Sequence, residues 1–135
     1  EIQAAIVRVN LRHIDAFCEG RRRAASRYGT HIRRPGAVLP FEAAGCRHVY
    51  HQFTLLTDER DRLQDALTKA GIASAVYYPV PLHRQEVFRS GAACRHGDLP
   101  ASEDAARRVL SLPMFPEITE EEIQRISDVI NGATA

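Results

Sequence analysis

The opening segment carries apolar side chains at intervals of three and four residues, which is the spacing of one face of an α-helix. The positions are Ile2, Ala5, Ile6, Val9, Ile14 and Phe17. This pattern predicts a long helix that continues past three successive arginines to Tyr28 and ends at Gly29. Because no capping side chain precedes the helix and Glu1 is not a methionine, we expect a longer protein to contain this segment.

Three short runs of β-branched, aromatic and leucine side chains follow, and such runs are typical of strands. They are residues 49–56, 72–78 and 109–112. Pro79 ends the second run and Pro113 ends the third, because proline has no N–H to donate to a neighbouring strand.

Helical segments with start and stop signals alternate with these runs. Residues 57–58 offer an N-cap for one helix, and Gly71 is placed to end it. Pro100 suits the first turn of another helix. Thr119 and Glu122 form a capping box that predicts the start of the last helix.

The resulting order is helix, strand, helix, strand, helix, strand, helix. Three strands with helices on one face predict an α/β two-layer sandwich, and we expect its small sheet to be largely antiparallel. We predict a single domain over residues 1–135. Within it, residues 1–30 form a long N-terminal linking helix and residues 46–135 form the α/β core.

The composition is that of a soluble globular protein, with 44% hydrophobic residues, 26% charged residues and a formal net charge of +1. Such a small net charge gives no global field to attract a polyanion. No apolar run approaches the roughly 18–20 residues that cross a bilayer, so we expect no membrane contact. Cys18, Cys46 and Cys94 are far apart and lack CxxC spacing, which predicts reduced thiols and a cytoplasmic location.

Two groups of residues suggest chemistry that their spacing argues against. His48 and His51 lie three apart on a predicted strand and point to opposite faces, so we predict no metal site. The arginines at 21–23 spread around a helix, and Asp15 and Glu19 dilute their charge. A solvated or interface-facing helix end is therefore favoured over nucleic-acid binding, whose mark would be a steeply salt-dependent affinity for DNA.

The stretch YYPVPLHRQ, Tyr77 to Gln85, is the strongest candidate for a binding site. Its prolines fix the backbone and reduce the entropy lost on binding, while Tyr77, Tyr78 and His83 offer hydrogen-bonding groups. The same residues also suit a rigid connector whose tyrosines lie in the core. From the residues alone, both interpretations remain open.

Four motifs in register favour the binding interpretation. HVYHQF at 48–53, YYPVPLH at 77–83 and VLSLPMFPEITEEEI at 109–123, together with the opening EIQAA, span the chain. Together they resemble the C-terminal portion of the DegT family of pyridoxal-phosphate-dependent aminotransferases. The resemblance implies a fold type I enzyme, and most members aminate keto groups on nucleotide-linked sugars.

The resemblance also implies a role for the proline loop. In the family, a loop of the form His-Tyr-Pro-x-Pro-Leu-His follows the second small-domain strand and borders the sugar-nucleotide site. Residues of this chain that match that form include Tyr78, Pro79, Pro81 and His83. Tyr77 instead stands where the family commonly has histidine. The predicted substrate-binding residues are therefore Tyr77, Tyr78 and His83.

The chemistry of such an enzyme needs a lysine that forms a Schiff base with pyridoxal phosphate. In the family this lysine and the other cofactor-binding groups lie upstream of the matching segment. Lys69 is the only lysine here, and the end of a polar helix is a place for a solvated charge. We therefore predict no catalytic or cofactor-binding residue in this chain, with pyridoxal phosphate bound only by the full-length parent.

The leading hypothesis is the C-terminal small domain of an aminotransferase that uses glutamate as amino donor and is inactive alone. The family resemblance further implies a homodimer, and we expect self-association through the exposed N-terminal helix and the interdomain surface. The alternative is a stand-alone, non-enzymatic interaction or regulatory module of the same fold.

Overall fold

The computed structural model describes residues 1–89 and 97–133 of the chain. Its α-helices are α1 (Ile2–Asn10), α2 (Ile14–His31), α3 (Arg60–Lys69), α4 (Glu86–Arg89), α5 (Pro100–Arg108) and α6 (Glu120–Gly132). Its strands are β1 (Phe53–Leu56) and β2 (Val109–Leu112), and 3₁₀ turns lie at Leu11–His13 and Leu82–Arg84. Cys94 falls outside the described residues.

The sheet consists of β1 and β2, which pair antiparallel with Phe53 opposite Leu112 and Leu56 opposite Val109. Phe53, Leu55, Leu110 and Leu112 are buried in the same core as residues of α2, α3 and α6. The antiparallel arrangement is as predicted. The predicted three strands, and the two-layer sandwich built on them, are not confirmed.

The run predicted as a strand at 72–78 is not one in the structure. Ala75 alone pairs, exchanging both backbone hydrogen bonds with Ser111 at 3.1 and 2.8 Å. The Ile72 N–H is already used by the Leu67 carbonyl at the end of α3. Beyond Leu112, Pro113 has no N–H to extend the pairing. No strand therefore forms at 72–78, and the prediction of one was wrong.

The first strand is shorter than the predicted run at 49–56. Tyr50 has a φ of 46°, in the left-handed region, and therefore interrupts the extended backbone. The carbonyl of His48 accepts a hydrogen bond from Arg22, and that of Val49 accepts one from Arg21. These carbonyls thus bond to α2, and β1 begins only at Phe53.

The opening helix also differs from the prediction. A 3₁₀ turn separates α1 from α2, and α2 continues past Gly29 to His31. Packing explains the extra length, since Tyr28 and Ile32 are both buried and the Ile32 N–H bonds to the Tyr28 carbonyl. Gly29 is therefore an interior helical residue, whereas Gly71 ends α3 with a φ of 71° as predicted.

Helix α6 packs against both α2 and α3. It starts with the predicted capping box, in which the Thr119 hydroxyl accepts from the Glu122 N–H and the Glu122 carboxylate accepts from the Thr119 N–H. It buries Ile123, Ile126 and Ile130. The helix therefore fastens the two other core helices to one another.

The end of α6 is held by two arginines. Arg34 donates to the carbonyls of Ile130 and Ala133 at 3.1 and 2.6 Å, and Arg62 donates to the Ala133 carbonyl at 2.8 Å. Glu59 pairs with both guanidinium groups. This C-terminal clamp, Arg34, Arg62 and Glu59, joins the last turn of α6 to the ends of α2 and α3. None of the described helices is long and apolar enough to cross a membrane.

Candidate substrate groove

The three residues predicted to bind substrate line one groove of about 730 Å³. The proline loop forms one side of this groove, and α5 with the start of β2 forms the other. Other side chains that line it are mainly apolar, namely Val80, Pro81, Leu82, Leu99, Ala105, Ala106 and Val109. The fold thus gathers Tyr77, Tyr78 and His83 around one groove.

The two tyrosines are on the surface of the protein. Tyr77 is 46% exposed and Tyr78 is 72% exposed, with their ring centroids 5.6 Å apart. Neither ring belongs to the hydrophobic core, so the structure does not support the connector interpretation with core tyrosines. Both rings can present a flat face and a hydroxyl group to a ligand.

His83 lies in a different environment. Only 8% of its side chain is exposed, and its Nε2 is 3.1 Å from Oε1 of Glu103 on α5. Arg84 donates to the same oxygen from Nε at 2.9 Å and from Nη2 at 2.6 Å. The hydrogen bonds from His83 and then from Arg84 hold the pKa of the Glu103 carboxyl below its usual range.

Sequence reasoning did not find Glu103. Its sole local signal is an acidic side chain in the first turn of a helix, which is a common feature. The pairing with His83 joins residues twenty positions apart. It depends on how α5 lies against the proline loop.

Tyr77 also borders a second, smaller pocket of about 350 Å³. Polar side chains of His51, Gln52, Ser74 and Ser111 contribute to its wall. The Ser111 hydroxyl is 2.8 Å from that of Thr54, so the two bond to each other across the sheet. Tyr77 therefore lies between the groove and this second pocket, which we call the polar pocket after those four side chains.

Arginines of the run at 21–23 hold the segment before β1 in place. Arg22 pairs with Glu42 and donates to the His48 carbonyl at 2.7 Å, while Glu42 accepts from the His48 N–H at 2.6 Å. The hydrogen bonds from Arg22 and from the His48 backbone lower the pKa of Glu42 to about 2. Arg21 donates to the Val49 carbonyl at 3.1 Å. The segment before β1 is thus held against α2.

The two histidines predicted not to bind metal, His48 and His51, have different surroundings. Nδ1 of His48 accepts from the Tyr50 N–H at 2.9 Å, whereas His51 borders the polar pocket. In the described ranges, no three histidine, cysteine, aspartate or glutamate side chains are grouped so that they could hold a metal ion.

Over residues 1–131, the sequence matches the model of the DegT/DnrJ/EryC1/StrS aminotransferase family. The chain belongs to this family. The resemblance carried by the four motifs is thereby confirmed.

Relatives of this chain share both its sequence and its fold. It is 48% identical over 130 residues to the UDP-N-acetyl-3-dehydro-α-D-glucosamine 3-aminotransferase of Acidithiobacillus ferrooxidans, covering 96% of this chain and 34% of that protein. S. venezuelae DesV, solved in complex with a ketimine intermediate, matches with a TM-score of 0.87 and 36% identity over 96% of this chain and 35% of its own. NtdA of Bacillus subtilis, solved with bound cofactor PMP, matches with a TM-score of 0.70 and 27% identity over 87% and 28%. The chain thus spans about a third of the length of these relatives.

The described residues do not fit a covalent pyridoxal phosphate site. Lys69, the only lysine of the chain, is exposed in the last turn of α3. It lines neither the groove nor the polar pocket. No step of a pyridoxal phosphate reaction can therefore be assigned to the lysine of this DegT-family chain.

Proposed function

We propose that this chain is the C-terminal small domain of an aminotransferase that acts on a nucleotide-linked keto sugar with glutamate as amino donor. Its family, the names of its relatives and the third of their length that it spans support this proposal. The observation that carries it is the single open groove shared by Tyr77, Tyr78 and His83.

In this proposal the groove forms part of the wall of the sugar-nucleotide site. The exposed rings of Tyr77 and Tyr78 stack on a flat base or sugar face, and their hydroxyl groups bond to the ligand. Pro79 and Pro81 hold the loop in one conformation, which reduces the entropy lost when the ligand binds. The apolar floor suits the faces of the ligand, not its phosphates.

Pyridoxal phosphate belongs to the parent enzyme in this proposal, as the PMP bound by a relative supports. The cofactor supplies the carbonyl group that carries the amino group between donor and acceptor. Since Lys69 lies away from the groove, the 135-residue chain alone is inactive as a transaminase. The parent works in the cytoplasm, where Cys18 and Cys46 remain free thiols.

Helix α1 supports the proposed homodimer. None of its residues is buried, and Ile2, Ile6, Val7 and Val9 are all exposed. An apolar helix without intramolecular packing favours association with another surface. In the parent this surface is the cofactor domain or the second subunit.

Truncating Tyr78 in the intact enzyme tests the groove. We expect Tyr78→Ala to raise the KM for a UDP-linked 3-keto sugar about tenfold or more, because a lost stacking contact is worth roughly 1–3 kcal/mol. Phe41→Ala is the matched control, since Phe41 is 79% exposed and lies outside the groove. Equal KM values for the two variants would show that the groove does not bind the substrate.

Adding pyridoxal phosphate to the 135-residue chain tests its inactivity. We expect no stoichiometric absorbance band of an internal aldimine, and no difference between the wild type and Lys69→Arg. A band that Lys69→Arg abolishes would show a cofactor site in this chain. If the intact gene product fails to aminate any keto sugar yet binds a protein partner, the interaction module is the better description.

A further inference from the structure

The His83 side chain is more buried than those of Tyr77 and Tyr78, the other predicted binding residues. Its imidazole is nearly buried, whereas Tyr78 is largely exposed. A carboxylate can only accept hydrogen bonds, so the contact with Glu103 requires that Nε2 of His83 carry a proton. The orientation of the ring is thus set from α5.

A single oxygen of Glu103 receives hydrogen bonds from two consecutive residues. His83 and Arg84 both lie in the 3₁₀ turn Leu82–Arg84, which follows Pro81 directly. Together they direct three N–H groups at Oε1 of Glu103, at distances of 2.6 to 3.1 Å. Charge-assisted hydrogen bonds of this kind are stronger than neutral ones and fix geometry.

Glu103 itself does not line the groove. It lies in the first turn of α5, where the helix dipole stabilises a negative charge. Loss of its carboxylate would leave the nearly buried imidazole without this acceptor, at a cost well above that of an exposed pair. Glu103 instead borders a separate pocket of about 290 Å³ together with His83 and Arg84. Its effect on a ligand in the groove must therefore act through His83 and the loop.

We propose that Glu103 is a positioning residue of the groove, which fixes the His83 ring and ties the proline loop to α5. This inference rests on the proposed function for its ligand, a nucleotide-linked sugar. It predicts that the shape of the groove depends on a side chain that the ligand does not touch.

Side-chain ¹H–¹⁵N correlation spectra of the 135-residue chain measure the positioning directly. In the wild type we expect His83 to be protonated at Nε2, with nuclear Overhauser contacts between its ring and α5. Glu103→Ala is expected to abolish these contacts and yield a mixture of ring tautomers, whereas Glu103→Gln, which keeps an acceptor oxygen, retains part of them. Asp104→Ala is the matched control, since the adjacent Asp104 pairs with Arg107 and Arg108.

Kinetics of the intact enzyme measure the consequence. Glu103→Ala is expected to raise the KM for the nucleotide sugar about tenfold with little change in kcat, and Asp104→Ala to leave both unchanged. Unchanged His83 spectra in Glu103→Ala would overturn the positioning role, whatever the function of the protein. Altered spectra with an unchanged KM would instead overturn the assignment of the groove to the sugar.

Discussion

Helices α1 and α2 share one apolar pattern along the sequence but have different surroundings. Every residue of α1 is exposed, including Ile2 and Ile6. Helix α2 buries Ala24, Ala25 and Tyr28, and the Tyr28 hydroxyl donates to the Pro113 carbonyl at 2.9 Å. Burial raises the pKa of this phenol, because the charged form would lose its hydration.

The difference teaches that an apolar period indicates that a helix packs, without indicating what it packs against. The partner of α2 is α6 of the same chain. Within the part of the chain that the structure describes, no residue of α1 is itself buried. Helix stability in water derives mostly from such packing, so the folding energy of this chain resides from α2 onward.

The largest contrast is expected between Ile130 and Ile6. Ile130→Ala should lower the free energy of unfolding by about 2–5 kcal/mol, because it leaves a cavity in the core. Ile6→Ala should change it by less than about 0.5 kcal/mol, because Ile6 is exposed. Urea denaturation measures both, and similar losses would mean that α1 belongs to the same cooperative unit.

Two glycines within α2 sharpen the comparison along one helix. A Cβ at Gly20 would lie 2.6 Å from the Pro116 carbonyl oxygen, so Gly20→Ala should cost about 1–3 kcal/mol of stability. A Cβ at Gly29 meets nothing within 4 Å, so Gly29→Ala should stabilise by about 0.5–1 kcal/mol. Thermal unfolding of the pair checks the signs, and a stable Gly20→Ala would contradict the close packing of α2.

The pairing of Arg22 with Glu42 predicts that the stability of the fold depends on pH. Helix α1 contains no acidic residue that could form such a pair. The folded pKa of Glu42 is about 2 and its ordinary value is 4.5. Its contribution to stability is therefore fully present above about pH 4.5 and is lost as the pH falls toward 2. Glu42→Gln should flatten that part of the stability–pH curve, as urea midpoints at pH 5 and pH 3 would reveal. An unaltered curve would mean that the segment before β1 is held in another way.

The smallest effect concerns α1 alone and leaves the fold untouched. Replacing Ile6 and Val9 by glutamine should weaken self-association of the chain, because both are exposed apolar residues. Replacing Gln3 by asparagine on the same helix is the control. Sedimentation equilibrium measures the outcome, and a wild-type chain that stays monomeric at high concentration would refute the idea.

Local signals could be predicted from the sequence, while distant pairings could not. The capping box of α6 and the turn at Gly71 depend on neighbouring residues, and both were predicted correctly. The strand predicted at 72–78 does not form, because only Ala75 pairs there, with Ser111 of the short strand β2. Likewise Arg22 and Glu103 gain their roles from residues at least nineteen positions away. Among the candidate site residues, the loop was identified, but its anchor on α5 was not.

The C-terminal clamp has a consequence for how this chain comes apart. Arg34, which follows α2, and Arg62 of α3 donate to carbonyls at the end of α6, so fraying there must break hydrogen bonds to both segments. Amide hydrogens near Ile130 should therefore exchange with solvent as slowly as those of β1 and β2.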